Sequence, residues 1–236
     1  MKNSNNKIKI NKSGRRYIVA SFILLIFHAL LLFLSAGRIN ILRFWIFVIV
    51  TFIYSTSAII LLCKITPDLV NQRGTIKSDT KWWDQFITRA HNIFLIFILP
   101  IIIGLDVGRF HWSYLNNFFM IPGFILYIFS SIFVNWAMIV NTHFEATVRI
   151  QKDRDHKVIS EGPYRLVRHP GYLGAILWAI AIPMILGSFY GYIPSVVAII
   201  LFIIRTFLED KTLQDELDGY YDYSKKVKFR LLPGIW

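Results

Sequence analysis

The sequence predicts an all-α, polytopic membrane protein, and three observations carry that prediction. Of 236 residues, 55% are hydrophobic and only 17% are charged, with a mean hydropathy of +0.51. A soluble domain of this length carries more charge. Six apolar runs approach the ~20 residues a helix needs to cross a bilayer. The 26 Lys and Arg fall almost wholly to one side of those runs.

Taken in order, the predicted spans are Tyr17–Ala36, Ile41–Leu62, Ala90–Leu105, Leu115–Val140, Tyr172–Leu186 and Tyr192–Leu208. The third and fifth are slightly short. The first follows a basic stretch but leads to no small-residue cleavage site and is read as a retained helix. With the N-terminus cytoplasmic, every Lys and Arg except Arg38, Arg43 and Arg109 lies on the cytoplasmic side, as the positive-inside rule requires. The net charge of +12 is therefore topology and attraction to anionic headgroups, not a nucleic-acid footprint. Pro100, Pro122, Pro183 and Pro194 lie in or beside spans, where kinks and caps are tolerated. The single cysteine, Cys63, excludes a disulfide framework and any Cys-based metal site.

Three regions are expected: residues 1–16, a disordered basic tail; 17–140, the first four spans; and 141–236, a catalytic region of loop, two spans and C-terminal helices. In the last, G-P-Y-R-L-V-R-H-P-G-Y-L-G (Gly162–Gly174) sets arginines, a histidine and tyrosines where the chain re-enters the membrane. Ionisable groups there are costly without partners, which marks a functional site. Gly and Pro in the motif favour a fixed turn and close backbone approach. Arg205 and Glu209, four residues apart, share one face of the last span. His156 and Gln151 belong to the same loop. No paired metal ligands, G-x-G-x-x-G or phosphate loop occur, so neither a metal site nor a dinucleotide fold is expected. Trp82 and Trp83 read as interfacial anchors, and Tyr220, Tyr221 and Tyr223 as an interfacial belt. His28, inside the first span, reads as a polar contact between helices.

G-P-Y-R-L-V-R-H-P-G-Y-L-G, then R-T-F-L-E-D-K-T-L-Q-D-E-L, G-Y-Y-D-Y and R-L-L-P-G-I-W, resembles the isoprenylcysteine carboxyl methyltransferase family, over roughly Asn141–Trp236. The resemblance implies an S-adenosyl-L-methionine pocket closed by the cytoplasmic loop and C-terminal helices and open sideways to lipid. It puts His156, Lys157, Val158 and Ile159 on a cofactor strip, with Tyr164, His169, Pro170, Gly171 and Tyr172 as further cofactor contacts. Gln151 matches more loosely, because its spacing to His156 differs. Glu209 falls on the acidic cofactor residue and Arg205 on the arginine facing the methyl acceptor. The residues after Arg205 depart from the family's run of glutamates, reading Glu-Asp and then Lys211. Trp178 is expected, with Arg205, to line the substrate side as an aromatic contact. The implied reaction is methyl transfer to a lipophilic acceptor from the inner leaflet, an isoprenylcysteine-type carboxylate giving a methyl ester, in a bacterial or archaeal plasma membrane. An amine acceptor would need a base, for which Glu209, Asp210 or His169 are candidates.

Two rival readings stand beside it. A sterol-type reductase using NADPH shares features of this C-terminal half, although Gly171 stands where such enzymes carry asparagine. A non-catalytic scaffold or transporter is the other, against which the polar residues gather at one face rather than along a pathway through the membrane. The sequence carries no sign of oligomeric state.

Overall fold

The computed structural model describes residues 8–75 and 77–236, and all its regular elements are helices. Residues 1–7 of the expected tail lie outside the described residues. The remainder of that tail is ordered further than predicted, since α1 (Lys12–Ala36) starts five residues before Tyr17. Asn11 is the cause: its side chain accepts from the backbone N–H of Ser13 and Gly14 and caps the helix. Gly37, at φ +69°, ends α1 in the left-handed conformation that glycine adopts without strain.

After α2 (Leu42–Ile65), the short α3 (Pro67–Arg73) docks against the start of α1. Asn71 accepts from the Asn11 N–H at 3.0 Å and donates to the Lys9 carbonyl at 3.1 Å. The next span is longer than expected. It runs without a break from Trp82 to Phe110, through α4 (Trp82–Asn92), a π-helical stretch, α5 (Leu99–Ile103) and a second π-helical stretch. Pro100 lies between those wide turns and supplies no N–H to the ladder. The added first part of α4, residues 82–89, replaces expected loop, because Asp84 and Arg89 interrupt the apolar pattern there.

α6 (Met120–Val140) and α7 (Pro170–Leu186) form the closest pair. Ser130 donates to the Gly174 carbonyl at 2.7 Å, and a Cβ at Gly174 would strike Val134. α8 (Tyr192–Glu216) runs on past its apolar part as a polar helix, as expected. Gly219, at φ +81°, then turns the chain into α9 (Tyr220–Lys226). Among the described residues, five helices are long and apolar enough to cross a membrane, and α7, at 17 residues, is the shorter sixth.

Leu32, Phe44, Leu99, Ile103, Ile185 and Leu186 are fully buried at the centre of the bundle. Large apolar side chains such as Leu34, Ile53, Ile125, Ile132 and Ile193 are exposed outward, as expected where the solvent is lipid. The far end is tied by the three arginines that the charge pattern set apart. Arg43 donates to the carbonyls of Met184, Ile185 and Leu115, Arg38 to Val107, and Arg109 to Leu34. There, Asp106 is fully buried and accepts from Ser113 and Ser188. All longer polar segments lie at the other end, and they build the site.

Candidate active site

A chamber of about 340 Å³ opens at that end between α4, the 141–172 loop, α8 and α9, a size within the usual range for small-molecule sites. The loop holds its shape through ion pairs centred on the buried Arg149 guanidinium. Arg149 donates to Glu145 at 2.8 and 2.9 Å, to Asp153 at 2.7 Å and to Asp79 at 3.0 Å. Its hydrogen bonds to Glu145 above all, then to Asp153 and Asp79, keep the guanidinium charged despite burial. Arg154 pairs with Asp68 and donates to the Gln151 side chain.

Gln151 lines the chamber, but its amide is used inside the loop: Nε2 donates to the His143 carbonyl at 2.7 Å while Oε1 accepts from Arg154 at 2.8 Å. It braces the strip that follows. The His156 ring lies 4.5 Å from that of His143, centre to centre, and its Nδ1 accepts from the Gln151 N–H. Lys157 sends its ammonium outward to Asp155, leaving only its inner side on the chamber. Val158 and Ile159 line the wall, and among the described residues their backbone groups make no hydrogen bond.

Burial, then the neighbouring His143, pushes the His156 imidazole down to about 4 from 6.5. The folded protein therefore holds it neutral where the unfolded chain would take up a proton, and stability rises with pH across that window. Melting temperature is expected to fall as pH drops from 6.5 towards 4, and His156→Gln to flatten that dependence. Thermal unfolding in detergent across the range checks it. An unchanged slope in the variant would contradict the assignment.

Opposite the strip, the R-H-P-G-Y motif is clamped to the C-terminal segment. The backbone N–H groups of Arg168 and His169 donate to the carbonyls of Phe229 and Arg230. The Arg168 side chain donates to Asp210 at 2.7 and 2.9 Å and to the Val227 and Lys228 carbonyls. Asp210 has no exposure. It also accepts from Arg230 and Gln214, from Tyr220 at 3.1 Å, and stands 3.1 Å from His169 Nε2. Asp210, a candidate base on sequence grounds, is thus a structural hub with its acceptors filled.

Two tyrosines correct the expected belt. Tyr220 and Tyr223 are 5% and 6% exposed and line the chamber, and Tyr223 donates to the Tyr164 carbonyl at 2.7 Å. Only Tyr221 faces out, beneath Lys225. Trp82 is exposed, as an anchor would be. The His28 Nε2 has no hydrogen-bond partner among the described residues, so no interhelical polar contact forms there.

Tyr164, His169, Pro170, Gly171 and Tyr172 all reach the chamber. Tyr164 accepts from Asn141 at 3.0 Å, and burial holds its phenol protonated. His169 and Tyr172 stack at 5.8 Å. At Gly171 a Cβ would run into the Phe144 ring, so glycine is needed for that closeness. Trp178 lies elsewhere. It donates to Ser131 at 2.8 Å inside the α6–α7 packing and does not line the chamber, so the expected contact is not made.

Arg205 and Glu209 project from one face of α8 into the chamber. Glu209 accepts from the Tyr172 hydroxyl. Arg205 donates through Nε to Asp84 at 2.7 Å and through Nη2 to the Ala146 carbonyl at 3.0 Å, with its guanidinium 5.1 Å from the Tyr172 ring centre. Among the described residues its Nη1 makes no hydrogen bond. Asp84, fully buried, also accepts from the Val148 N–H. Sequence reasoning missed it. Its signal was a carboxylate at the mouth of a span, for which a buried cation is the usual partner.

Over part of its length, this helical bundle with a polar chamber at one end is similar to methyltransferases. Residues 123–215 match the isoprenylcysteine carboxyl methyltransferase family, so the resemblance seen in the sequence is borne out. That stretch contains α6 from Gly123 on, the loop, α7 and α8 as far as Asp215, Glu209 included. A protein-S-isoprenylcysteine O-methyltransferase of Schizosaccharomyces pombe is 26% identical over 170 residues, 61% of this chain and 69% of that protein. The Saccharomyces cerevisiae protein of the same name is 28% identical over 130 residues, 52% of each. Protein-S-isoprenylcysteine O-methyltransferase B of Arabidopsis thaliana is 30% identical over 77 residues, 32% of this chain and 36% of the relative. Beyond the fission-yeast protein, then, the chain matches about half or less of these relatives' length. All three are eukaryotic and lend no support to the expected prokaryotic setting.

Proposed function

We propose that the protein transfers a methyl group from S-adenosyl-L-methionine to the carboxylate of an isoprenylcysteine-type amphiphile reached from the inner leaflet, with both termini cytoplasmic. The observation that carries this reading is one chamber holding Arg205 and Glu209 opposite the 156–159 strip and the R-H-P-G-Y turn. The residues present fit the cofactor by the chemistry of their donor set. Glu209 offers a carboxylate to an ammonium, and the open backbone of Val158 and Ile159 suits a heteroaromatic edge. Leu213 and Leu217 supply an apolar wall. When bound, S-adenosyl-L-methionine supplies a sulfonium methyl open to in-line displacement.

A carboxylate acceptor is already nucleophilic, so the protein's task is alignment more than proton transfer. Arg205, fixed through Nε and Nη2, keeps Nη1 free to hold an acceptor oxygen in a charge-assisted bond. The aromatic faces of Tyr172 and Tyr164 favour a cationic neighbour. Burial of the chamber strengthens each of these contacts relative to water.

Calorimetry with S-adenosyl-L-methionine, and with NADPH as the rival, tests cofactor class. Binding of the first and not the second is expected. Glu209→Gln should weaken S-adenosyl-L-methionine binding roughly ten- to a hundredfold, the scale of one charged hydrogen bond. Wild-type affinity in that variant would remove Glu209 from the cofactor site. Mass spectrometry of membrane lipids and proteins with isotopically labelled methyl donor identifies the acceptor.

A further inference from the structure

Among the described residues, five buried side-chain polar atoms lack a hydrogen-bond partner, and three of them belong to the chamber wall: Arg73 Nε, Thr88 Oγ1 and His91 Nδ1. Buried polar groups are nearly always paired, so three orphans in one wall are unlike packing faults scattered through a bundle. None was singled out by the sequence motif, and all lie outside residues 123–215 that match the family.

Their placement follows from helix geometry. Asp84, Thr88 and His91 are spaced four and three apart and share one face of α4. The Asp84–Arg205 pair fixes that face against α8. α4 runs from there into the membrane while α8 arrives from it, so Thr88 and His91 lie on the membrane side of Arg205. The His91 ring packs 4.7 Å from that of Phe202, one turn deeper on α8 than Arg205. Glu209 and Leu213 lie on the opposite, outer side. Arg205 therefore divides the chamber in two. Arg73 closes the wall, its guanidinium 5.5 Å from the Tyr17 ring and 5.6 Å from the Phe144 ring, with Nη1 donating to the Phe144 carbonyl.

We propose that Thr88 and His91 form an acceptor subsite that binds the carboxylate of an amphiphile together with Arg205 Nη1. This rests on the transferase reading and deepens it. The free groups on this side can all donate: a guanidinium N–H, a hydroxyl and an imidazole nitrogen. The carboxylates near this side are engaged, Asp84 behind the wall by Arg205 and Glu145 in the wall by Arg149. A site rich in donors without a free acid takes an oxyanion and rejects an ammonium. The acceptor's chain would then run from this subsite toward lipid, and the outer side stays free for the methyl donor.

The test is calorimetric binding of N-acetyl-S-farnesylcysteine and of its carboxamide to the full-length protein in detergent, without turnover. Wild type is expected to prefer the carboxylate at least tenfold. A Thr88→Val/His91→Phe double variant should reduce that preference at least fivefold while binding S-adenosyl-L-methionine as wild type does, which also reports an intact chamber. His91→Asn, whose amide places a polar atom near the position of Nδ1, should keep the preference. A double variant that keeps the full preference overturns the subsite and leaves the transferase reading standing. Failure of wild type to bind S-adenosyl-L-methionine overturns the transferase reading itself. Should the double variant lose S-adenosyl-L-methionine binding as well, His91→Asn against His91→Phe decides, and equal preference in those two overturns the subsite.

Discussion

Asp210→Asn is expected to destabilise the protein by about 3–5 kcal/mol, the range for breaking a buried charge pair by removing one partner. The carboxylate has no exposure and collects Arg168, Arg230, His169, Tyr220 and Gln214. An amide keeps one oxygen but turns an N–H₂ toward cationic donors, so at least one guanidinium loses its counter-charge. The donors come from the motif loop, from α8 itself, from α9 and from the C-terminal segment of residues 227–230, so the damage is not local. The clamp between Arg168–His169 and Phe229–Arg230 should open with it. Two readouts follow: a lower melting temperature in detergent, and protease cleavage between residues 217 and 236 under conditions where wild type resists. A variant that melts like wild type with a protected C-terminal segment would show that the hub is redundant. Loss of S-adenosyl-L-methionine binding should accompany the opening, because Tyr220 and Tyr223 form part of the chamber wall.

The prominence of Asp210 also marks where sequence reading stops. The six spans were legible because lipid imposes a length and a polarity that show in any window of the chain. The motif loop was legible because charge at a membrane re-entry demands a reason. What each charge pairs with was not. Arg205 and Asp84 are 121 residues apart, and no local period links them. Tyr220, Tyr221 and Tyr223 look alike as a cluster, yet helical spacing separates them: residues three apart share a face, and Tyr220 and Tyr223 turn inward while Tyr221 turns out. That periodicity was readable, and overlooked. Trp178 shows the reverse error. An aromatic one turn or more into α7 was given a chemical role, but its indole N–H is satisfied by Ser131 within the bundle. The ordered start of α1 was readable too, since Asn11 precedes Ser13 and Gly14 with the spacing of a cap.

Arg205→Ala is expected to lower turnover about 10²–10³-fold, the scale seen when one preorganised donor is removed from a reacting centre. S-adenosyl-L-methionine should still bind within about threefold of wild type, a difference of well under 1 kcal/mol. The division of the chamber requires this split: Glu209 faces the outer side, while Arg205 Nη1 is the donor left free for the acceptor. Arg205→Lys should recover little, since one ammonium cannot meet Asp84, the Ala146 carbonyl and an acceptor oxygen with the planar fork that guanidinium provides. Asp84 acts through Arg205 and is a positioning residue. Asp84→Asn leaves the guanidinium in place but untethered in charge, so acceptor KM should rise as kcat falls, while cofactor affinity is retained. Asp84 also accepts from the Val148 N–H, so some loss of stability is expected from Asp84→Asn. The change in acceptor KM at constant cofactor affinity separates the two effects. If Arg205→Ala instead abolished cofactor binding with the fold intact, Arg205 would belong to the cofactor side, and the two-sided chamber would be wrong.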